Sequence, residues 1–190
     1  MTRWIALLGL AVCLPVAAAL NTGEKAPTFK APASLDGKVF EFSLDEALAK
    51  GPVVVYFYPS AFTGGCSLQA HTFAVKHDEF AAAGASIIGV SLDSIERLNE
   101  FSSDPEFCAG KIAVASDEGG KIARSYQVKV SDAKQDAKDS RGKLIGHGFA
   151  ERTTFVVKPD GKVAAVIGGV SPVENVKQSL QAVQALAGKM

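Results

Sequence analysis

The chain has 190 residues, 47% of them hydrophobic and 21% charged, which suits one globular domain with its own buried core. Twenty basic side chains balance twenty acidic ones, so no strong field exists to attract nucleic acid or an anionic membrane surface. Composition thus excludes a basic groove for a nucleic-acid backbone and leaves the function to local sequence.

The first segment stands apart. Arg3 gives a positive start, Ile5 to Leu20 is almost unbroken apolar sequence, and Ala17, Ala18 and Ala19 precede the polar run Asn21-Thr22-Gly23-Glu24. That is the order of a secretory signal, and the expected cut follows Ala19, giving a signal over 1–19 and a folded domain over 20–190. An uncleaved anchor fits less well, because the apolar run is short and contains Pro15. Cys13 follows the bulky Val12, which does not suit lipid attachment, so it leaves with the signal. The expected mature chain is exported, to a bacterial periplasm, with no stable membrane association. It carries one net negative charge and two cysteines, Cys66 and Cys108. In an oxidising compartment such a pair can be a plain structural disulfide unless the local sequence argues otherwise.

Along the rest of the chain, Phe29–Ser34 and Lys38–Phe42 flank Asp36-Gly37 and predict a hairpin. Pro52–Tyr58 is a continuous apolar run, as expected of a strand buried on both faces. Leu68–Ala83 has helical character, Ala85–Leu92 reads as a second buried strand, and Ile95–Phe101 as a short helix. Ile112–Ala115 follows as a strand and Gly120–Tyr126 as a helix. Thr153–Val157 and Lys162–Ile167 bracket the turn Pro159-Asp160-Gly161. A last helix opens at Ser171-Pro172-Val173-Glu174, with the Ser and Glu spacing of a capping box and Pro at the first helical position. The alternation predicts an α/β fold with a mainly parallel sheet between helices and an antiparallel hairpin at one side. Between them, 128–148 is polar and aperiodic; a turn or two of helix is expected over Asp132–Asp139, and a connection this long is functional or mobile.

Ligands in such sheets sit beyond the carboxyl ends of the strands, which points to the sequence after Tyr58. There Pro59 ends the strand, and Gly64-Gly65 are expected to turn the backbone tightly just before Cys66. Cys66 then falls in the first turn of the next helix, where free amides and the helix dipole favour thiolate, the nucleophilic form. Taken singly, Thr63 reads as a helix cap and Cys66 as a small apolar filler. Arg152, beside Glu151, taken singly reads as half of a surface salt bridge.

The spacing P-x-x-x-T-x-x-C on Pro59, Thr63 and Cys66 after a buried strand resembles the active-site motif of peroxiredoxins. YFYPSAFTGGC, IIGVSLDS, VASDEGGKIARSYQV and ERTTFVVKPDGKV are similar to peroxiredoxin blocks in the same order, most of all to the bacterioferritin-comigratory-protein (PrxQ-like) subgroup. The resemblance implies a thioredoxin-like fold, a central mixed sheet flanked by helices with an N-terminal hairpin, and reduction of hydrogen peroxide or organic hydroperoxides. It implies Cys66 as the peroxidatic cysteine, Thr63 as its hydroxyl partner and Arg152 as the family's arginine. That guanidinium suits the chemistry, because attack on an O–O bond builds negative charge on the departing oxygen. The subgroup also implies Cys108 as the resolving cysteine, closing an intramolecular disulfide with the Cys66 sulfenic acid. The Asp104-Pro105 break and Gly110 suggest a segment able to move for that step. No cofactor and no metal are implied; the partners implied are a hydroperoxide and a thioredoxin-like or other thiol reductant, and the subgroup suggests a monomer.

Two positions depart from the pattern. Gln69 stands where many relatives carry Glu, and it can hydrogen-bond without charge. His71 stands where some relatives carry a resolving cysteine, and is expected to be an ordinary helix-surface histidine. An exported thiol–disulfide oxidoreductase on the same fold is the rival reading, but the run Cys66-Ser67-Leu68-Gln69 lacks the second cysteine of C-x-x-C. A non-catalytic binding module would not need Thr63, Cys66 and Arg152 together.

Overall fold

The computed structural model describes residues 20–188, so the expected signal and its cut site lie outside the described residues. Strands β1 (Lys30–Leu35) and β2 (Lys38–Ser43) form the expected hairpin. Asp36 and Gly37 both adopt positive φ (51° and 69°), the left-handed pair that a two-residue hairpin turn requires. A short helix, α1 (Leu44–Leu48), follows directly; the sequence reading did not include it. Its cap is Ser43, whose side chain accepts from the Glu46 amide, and its buried Leu44 and Leu48 face the sheet.

The remaining elements are β3 (Val53–Phe57), α2 (Gly64–Val75), α3 (His77–Ala82), β4 (Ser86–Ser91), α4 (Ile95–Ser103), β5 (Ala113–Ser116) and α5 (Lys121–Ser125). They are followed by β6 (Val130–Ser131), β7 (Phe149–Ala150), β8 (Thr153–Val157), β9 (Val163–Gly168) and α6 (Pro172–Ala187). Seven strands form one sheet in the order β2-β1-β5-β4-β3-β8-β9, and β6 and β7 pair separately. Only β3 with β4 and β4 with β5 run parallel; the other four pairings are antiparallel. The sheet is therefore mixed, with a hairpin at each edge, and the mainly parallel sheet with one lateral hairpin is corrected. Two of its seven strands enter by the N-terminal hairpin and two by the C-terminal one, which leaves room for only two crossover units.

Two helical expectations are also corrected. The run Leu68–Ala83 is two helices, not one: it begins earlier, at Gly64, and breaks at Lys76 (φ −93°, ψ 5°), so α3 packs at its own angle. Asp132–Asp139 forms turns and an isolated bridge, Lys138 to Leu144, and no helix.

Strand β3 explains why a run without polar alternation still has two faces. Val54, Tyr56 and Tyr58 point into a core with Phe73 of α2, Phe80 of α3, Phe101 of α4 and Val176 of α6. Val53, Val55 and Phe57 point into the opposite core with Leu44 of α1, Ala123 of α5, Tyr126 and Phe155. Both described cysteines belong to the first layer. Phe155, with ring centroids 5.1 Å from Tyr126 and 5.9 Å from Phe57, anchors the second. Phe155→Ala is expected to cost about 3–5 kcal/mol, read as a lower urea midpoint at unchanged slope.

Candidate active site

Cys66 lies just beyond the carboxyl end of β3, where the sheet's topology places chemistry. The chain leaves β3 through Tyr58, whose amide still donates to Val90 (3.2 Å), and bends at half-buried Pro59. The tight turn then falls on Phe62 (φ 58°) rather than on the glycines. Gly64 and Gly65 are helical, which corrects the expectation that they turn the backbone. Gly65 serves a steric purpose: a Cβ there would stand 3.2 Å from Arg152 Nη2. A left-handed conformation at a bulky residue costs about 1–2 kcal/mol, so the loop must be held from outside.

Thr63 is the N-cap of α2 by backbone position, but its hydroxyl donates to the Ser60 carbonyl (2.8 Å) and does not cap. The Cys66 and Ser67 amides both donate to the Thr63 carbonyl (2.9 and 2.8 Å), so Cys66 sits in the first turn with its own amide engaged. The sulfur is nearly enclosed, with Cys66 only 2% exposed. Arg152, between β7 and β8, donates from Nη2 to Cys66 Sγ (3.3 Å) and from Nη1 to Gln69 Oε1. The guanidinium thus faces the sulfur rather than its chain neighbour Glu151, and the surface salt bridge is not formed. Gln69 is fully buried and passes the contact on: its Nε2 donates to Asn175 Oδ1 of α6 (2.9 Å). His71, two residues further along α2, is exposed, as the sequence suggested.

Cys108 is a buried free thiol in the turns after α4, not in a helix. Burial, and then the charge of Asp104, push its thiol well up from the ordinary range, so it rests protonated. Tyr56 lies within electrostatic reach of both sulfurs: burial, then Cys108, then Cys66 push its phenol up. Between the two cysteine segments, Phe62 meets Phe101 and Phe107 (5.0 and 5.3 Å between centroids), and Phe101 stacks on Phe107. Ala109 and Gly110 are both at positive φ (52° and 67°), so the Cys108 turn is a strained, local structure.

What holds the Phe62 loop is a buried carboxylate. Asp93, directly after β4, accepts from Ser60 Oγ (2.8 Å), Arg97 Nε (2.7 Å) and His147 Nε2 (2.9 Å) on Oδ1, and from the Ala61 amide and Ser91 Oγ (both 2.8 Å) on Oδ2. Burial opposes its charge, but His147, the Ala61 amide and Ser91 outweigh burial and hold its pKa below the usual range. Arg97 reaches on to the Ala61 carbonyl (2.9 Å) and Asp139 (2.8 Å), while the Ser140 amide and hydroxyl donate to the Phe62 carbonyl. Arg141 lies over the Phe62 ring. The polar connection 128–148 is therefore strapped across the active-site loop.

Of the residues singled out in the sequence, Cys66 and Arg152 meet directly, Thr63 stands at the N-cap position of the helix that carries Cys66 with its hydroxyl turned to Ser60, Pro59 opens the loop, and Cys108 lies in the same core layer as Cys66. Asp93, Arg97, Asp139, His147 and Asn175 were not foreseen as parts of the site. Asp93 alone left a signal: an acidic residue immediately after the buried run Ala85–Leu92, at the strand end beside the Cys66 strand. A groove of about 620 Å³ lies at the opposite end of the parallel strands, lined by Phe42, Gly51, Ala81 and Ser86, so volume does not mark the site. Among the described residues no three His, Cys, Asp or Glu gather as a metal-ligand set.

A buried cysteine at a helix start on this sheet, faced by a half-buried arginine, defines a thioredoxin-fold thiol peroxidase site. The AhpC/TSA family matches residues 22–166, and the chain belongs to that family. A Mycobacterium tuberculosis protein named as a peroxiredoxin is 33% identical over 148 residues, covering 78% of this chain and 85% of that one. Chloroplastic peroxiredoxin Q of Sedum lineare is 32% identical over 136 residues, covering 71% and 64%. Among solved structures, the peroxidoxin BcpB of M. tuberculosis superposes with a TM-score of 0.70 at 31% identity, covering 87% of this chain and 97% of that one. The bacterioferritin comigratory protein of Xanthomonas campestris, described for its alkyl peroxide reduction, gives 0.64 at 30% identity, covering 82% and 91%. The chain is a peroxiredoxin, a thiol-dependent peroxidase with a thioredoxin-like fold.

The strap has a pH dependence whose sign follows from its partners. Burial disfavours charge on His147, but the hydrogen bond and charge of Asp93 and the Gly148 carbonyl prevail over it and over the repulsion of Arg97, and its pKa is raised. A raised histidine contributes stability that is full below its unfolded pKa of about 6.5 and is lost as pH rises through the folded value. Asp93, with a lowered pKa, contributes above the unfolded carboxylate range and loses its contribution as pH falls through its folded value. Amide exchange at Ala61 and Ser140 is expected to quicken as pH rises through the His147 titration, beyond the intrinsic pH trend, and His147→Asn is expected to abolish that excess.

Proposed function

We propose that this chain reduces hydroperoxides with Cys66 as the attacking sulfur, Arg152 as the charge that stabilises the departing oxygen, and Thr63 as the hydroxyl that orients the peroxide. The observation that carries the reading is the 3.3 Å approach of Arg152 Nη2 to Cys66 Sγ at the first turn of α2. The thiolate attacks one peroxide oxygen, an S–O bond forms as O–O breaks, and the leaving oxygen departs as water or an alcohol after taking a proton. Thr63, with its proton given to Ser60, keeps acceptor capacity for the peroxide O–H. Pro59 fixes the bend that brings Thr63 and Cys66 to one side. The alkyl peroxide reduction described for the X. campestris relative supports organic hydroperoxides among the substrates.

The product on Cys66 is a sulfenic acid, and Cys108 condenses with it to a disulfide with loss of water. The shared core layer of the two cysteines supports this pairing. The burial and raised pKa of Cys108 mean that its turn must open before the thiol can react. A thioredoxin-like dithiol then takes the disulfide, becoming oxidised as Cys66 and Cys108 are reduced. The subgroup favours a monomer. The apolar run after Arg3 and the alanines 17–19 support export to the periplasm with a cut after Ala19.

Intact mass after one equivalent of hydrogen peroxide tests the assignment. The wild type is expected to lose two hydrogens, a change absent in Cys66→Ser, while Cys108→Ser gains oxygen on Cys66. Oxygen gain on Cys66 in the wild type, with no disulfide, removes Cys108 from the cycle; no rapid change overturns the peroxidase reading of Cys66. Expression of the full chain with cell fractionation tests export, the expected outcome being a soluble periplasmic product beginning at Leu20.

A further inference from the structure

Gln69 stands between the arginine and the body of the protein, and both ends of its chain of contacts have fixed polarity. At one end the Ile167 carbonyl can only accept, so the end of Asn175 that faces it (3.1 Å) must be the Nδ2 amide. Asn175 therefore turns Oδ1 to the other side, where it accepts from Thr154 Oγ1 (2.7 Å) and from Gln69 Nε2 (2.9 Å). Gln69 must then present Oε1 to Arg152, whose guanidinium can only donate. Gln69, Thr154 and Asn175 are all fully buried, so water does not compete for these bonds. The chain runs from a backbone carbonyl of β9 through α6 and α2 to the guanidinium beside Cys66.

We infer that Asn175 is a positioning residue for the Cys66 site: through Gln69 it sets where the Arg152 guanidinium stands against the sulfur, and it does so without charge. The inference deepens the peroxidase reading of Cys66 and rests on it for the identity of the reaction, but not for its test. A carboxylate at position 69 cannot serve the same relay, because it has no proton to give Asn175 Oδ1. Asn175 would have to turn Nδ2 toward it and abandon the Ile167 carbonyl. A carboxylate would also partly neutralise Arg152, whereas the amide leaves the full positive charge to the sulfur. The departure of Gln69 from the family's Glu is thus matched by the amide of Asn175, more than a hundred residues further along the chain. The N-terminus of α6 packs against the same turn of α2: Pro172 Cγ lies 3.6 Å from where a Cβ on Gly65 would be, an ordinary packing distance.

The test is the pH profile of Cys66 alkylation by iodoacetamide, followed by peptide mapping, beside the rate of peroxide reduction and the melting temperature. Alkylation reports the thiolate whether or not the chain is a peroxidase, so a failed relay and a failed peroxidase assignment give different results. Asn175→Ala is expected to slow peroxide reduction roughly ten- to a hundredfold and to move the acid limb of the alkylation profile upward. Asn175→Asp keeps an acceptor for Gln69 and is expected to retain more of the rate, and it covers the case in which the alanine variant does not fold. Gln69→Glu is nearly isosteric and is expected to move the acid limb upward in a well-folded protein. If Asn175→Ala lowers the melting temperature while rate and profile stay within twofold of wild type, the role is structural and the inference fails; it fails too if a well-folded Asn175→Asp, which keeps the acceptor, loses about a hundredfold in rate. An unmoved profile in Gln69→Glu overturns it equally.

Discussion

A guanidinium held against a sulfur that solvent scarcely reaches is the constraint around which this structure is arranged. Taking a charge out of water is costly unless its donors are satisfied, and Arg152 meets that condition through Cys66 and Gln69. The space for it exists because position 65 is glycine, and the carbonyl that receives its second arm exists because Gln69 faces inward from α2. On the other side of the loop stands a charge of opposite sign, the Asp93 carboxylate, with five hydrogen bonds to side chains and backbone. One charge serves the sulfur and the other serves the backbone that carries it. Neither is exchangeable for an apolar residue without loss of the geometry it fixes, even where such an exchange would leave stability unharmed.

Cys108 makes the opposite demand. It is packed among aromatic rings with its thiol protonated, which protects it from adventitious oxidation and also keeps it from reacting. Phe101, of the same core layer, and Phe107, its chain neighbour packed against that layer, both meet Phe62 of the active-site loop, so release of one segment loosens the other. In the proposed cycle, packing of this kind makes disulfide closure conditional on a prior movement, and places the control of that movement in ordinary side-chain contacts.

Much of this was legible before any coordinate. Strand β3 announced itself by an unbroken apolar run, the first hairpin by Asp36-Gly37, and α6 by Ser171-Pro172, because each rests on local stereochemistry. The cysteine, threonine and arginine were found by spacing and resemblance. What remained hidden was whatever depends on distant partners. The break at Lys76 leaves no Pro or Gly to betray it; α1 is too short to show a period; and the strand directions depend on how hairpins dock at the sheet edges. Gln69 read as a weakened glutamate because its meaning lies in Asn175, and the polar segment 128–148 read as a loop because Asp139, Ser140 and His147 gain their roles only on meeting Arg97, Phe62 and Asp93.

The division of β3 into two faces bears on how the molecule survives its own cycle. Phe62 of the active-site loop and Cys108 are packed on the Tyr56 side of the sheet, while Phe57, Phe155 and Tyr126 belong to the core on the other side. Opening of the Cys108 turn in the proposed cycle therefore disturbs one core only, and the other is left as the wall against which the turn closes again.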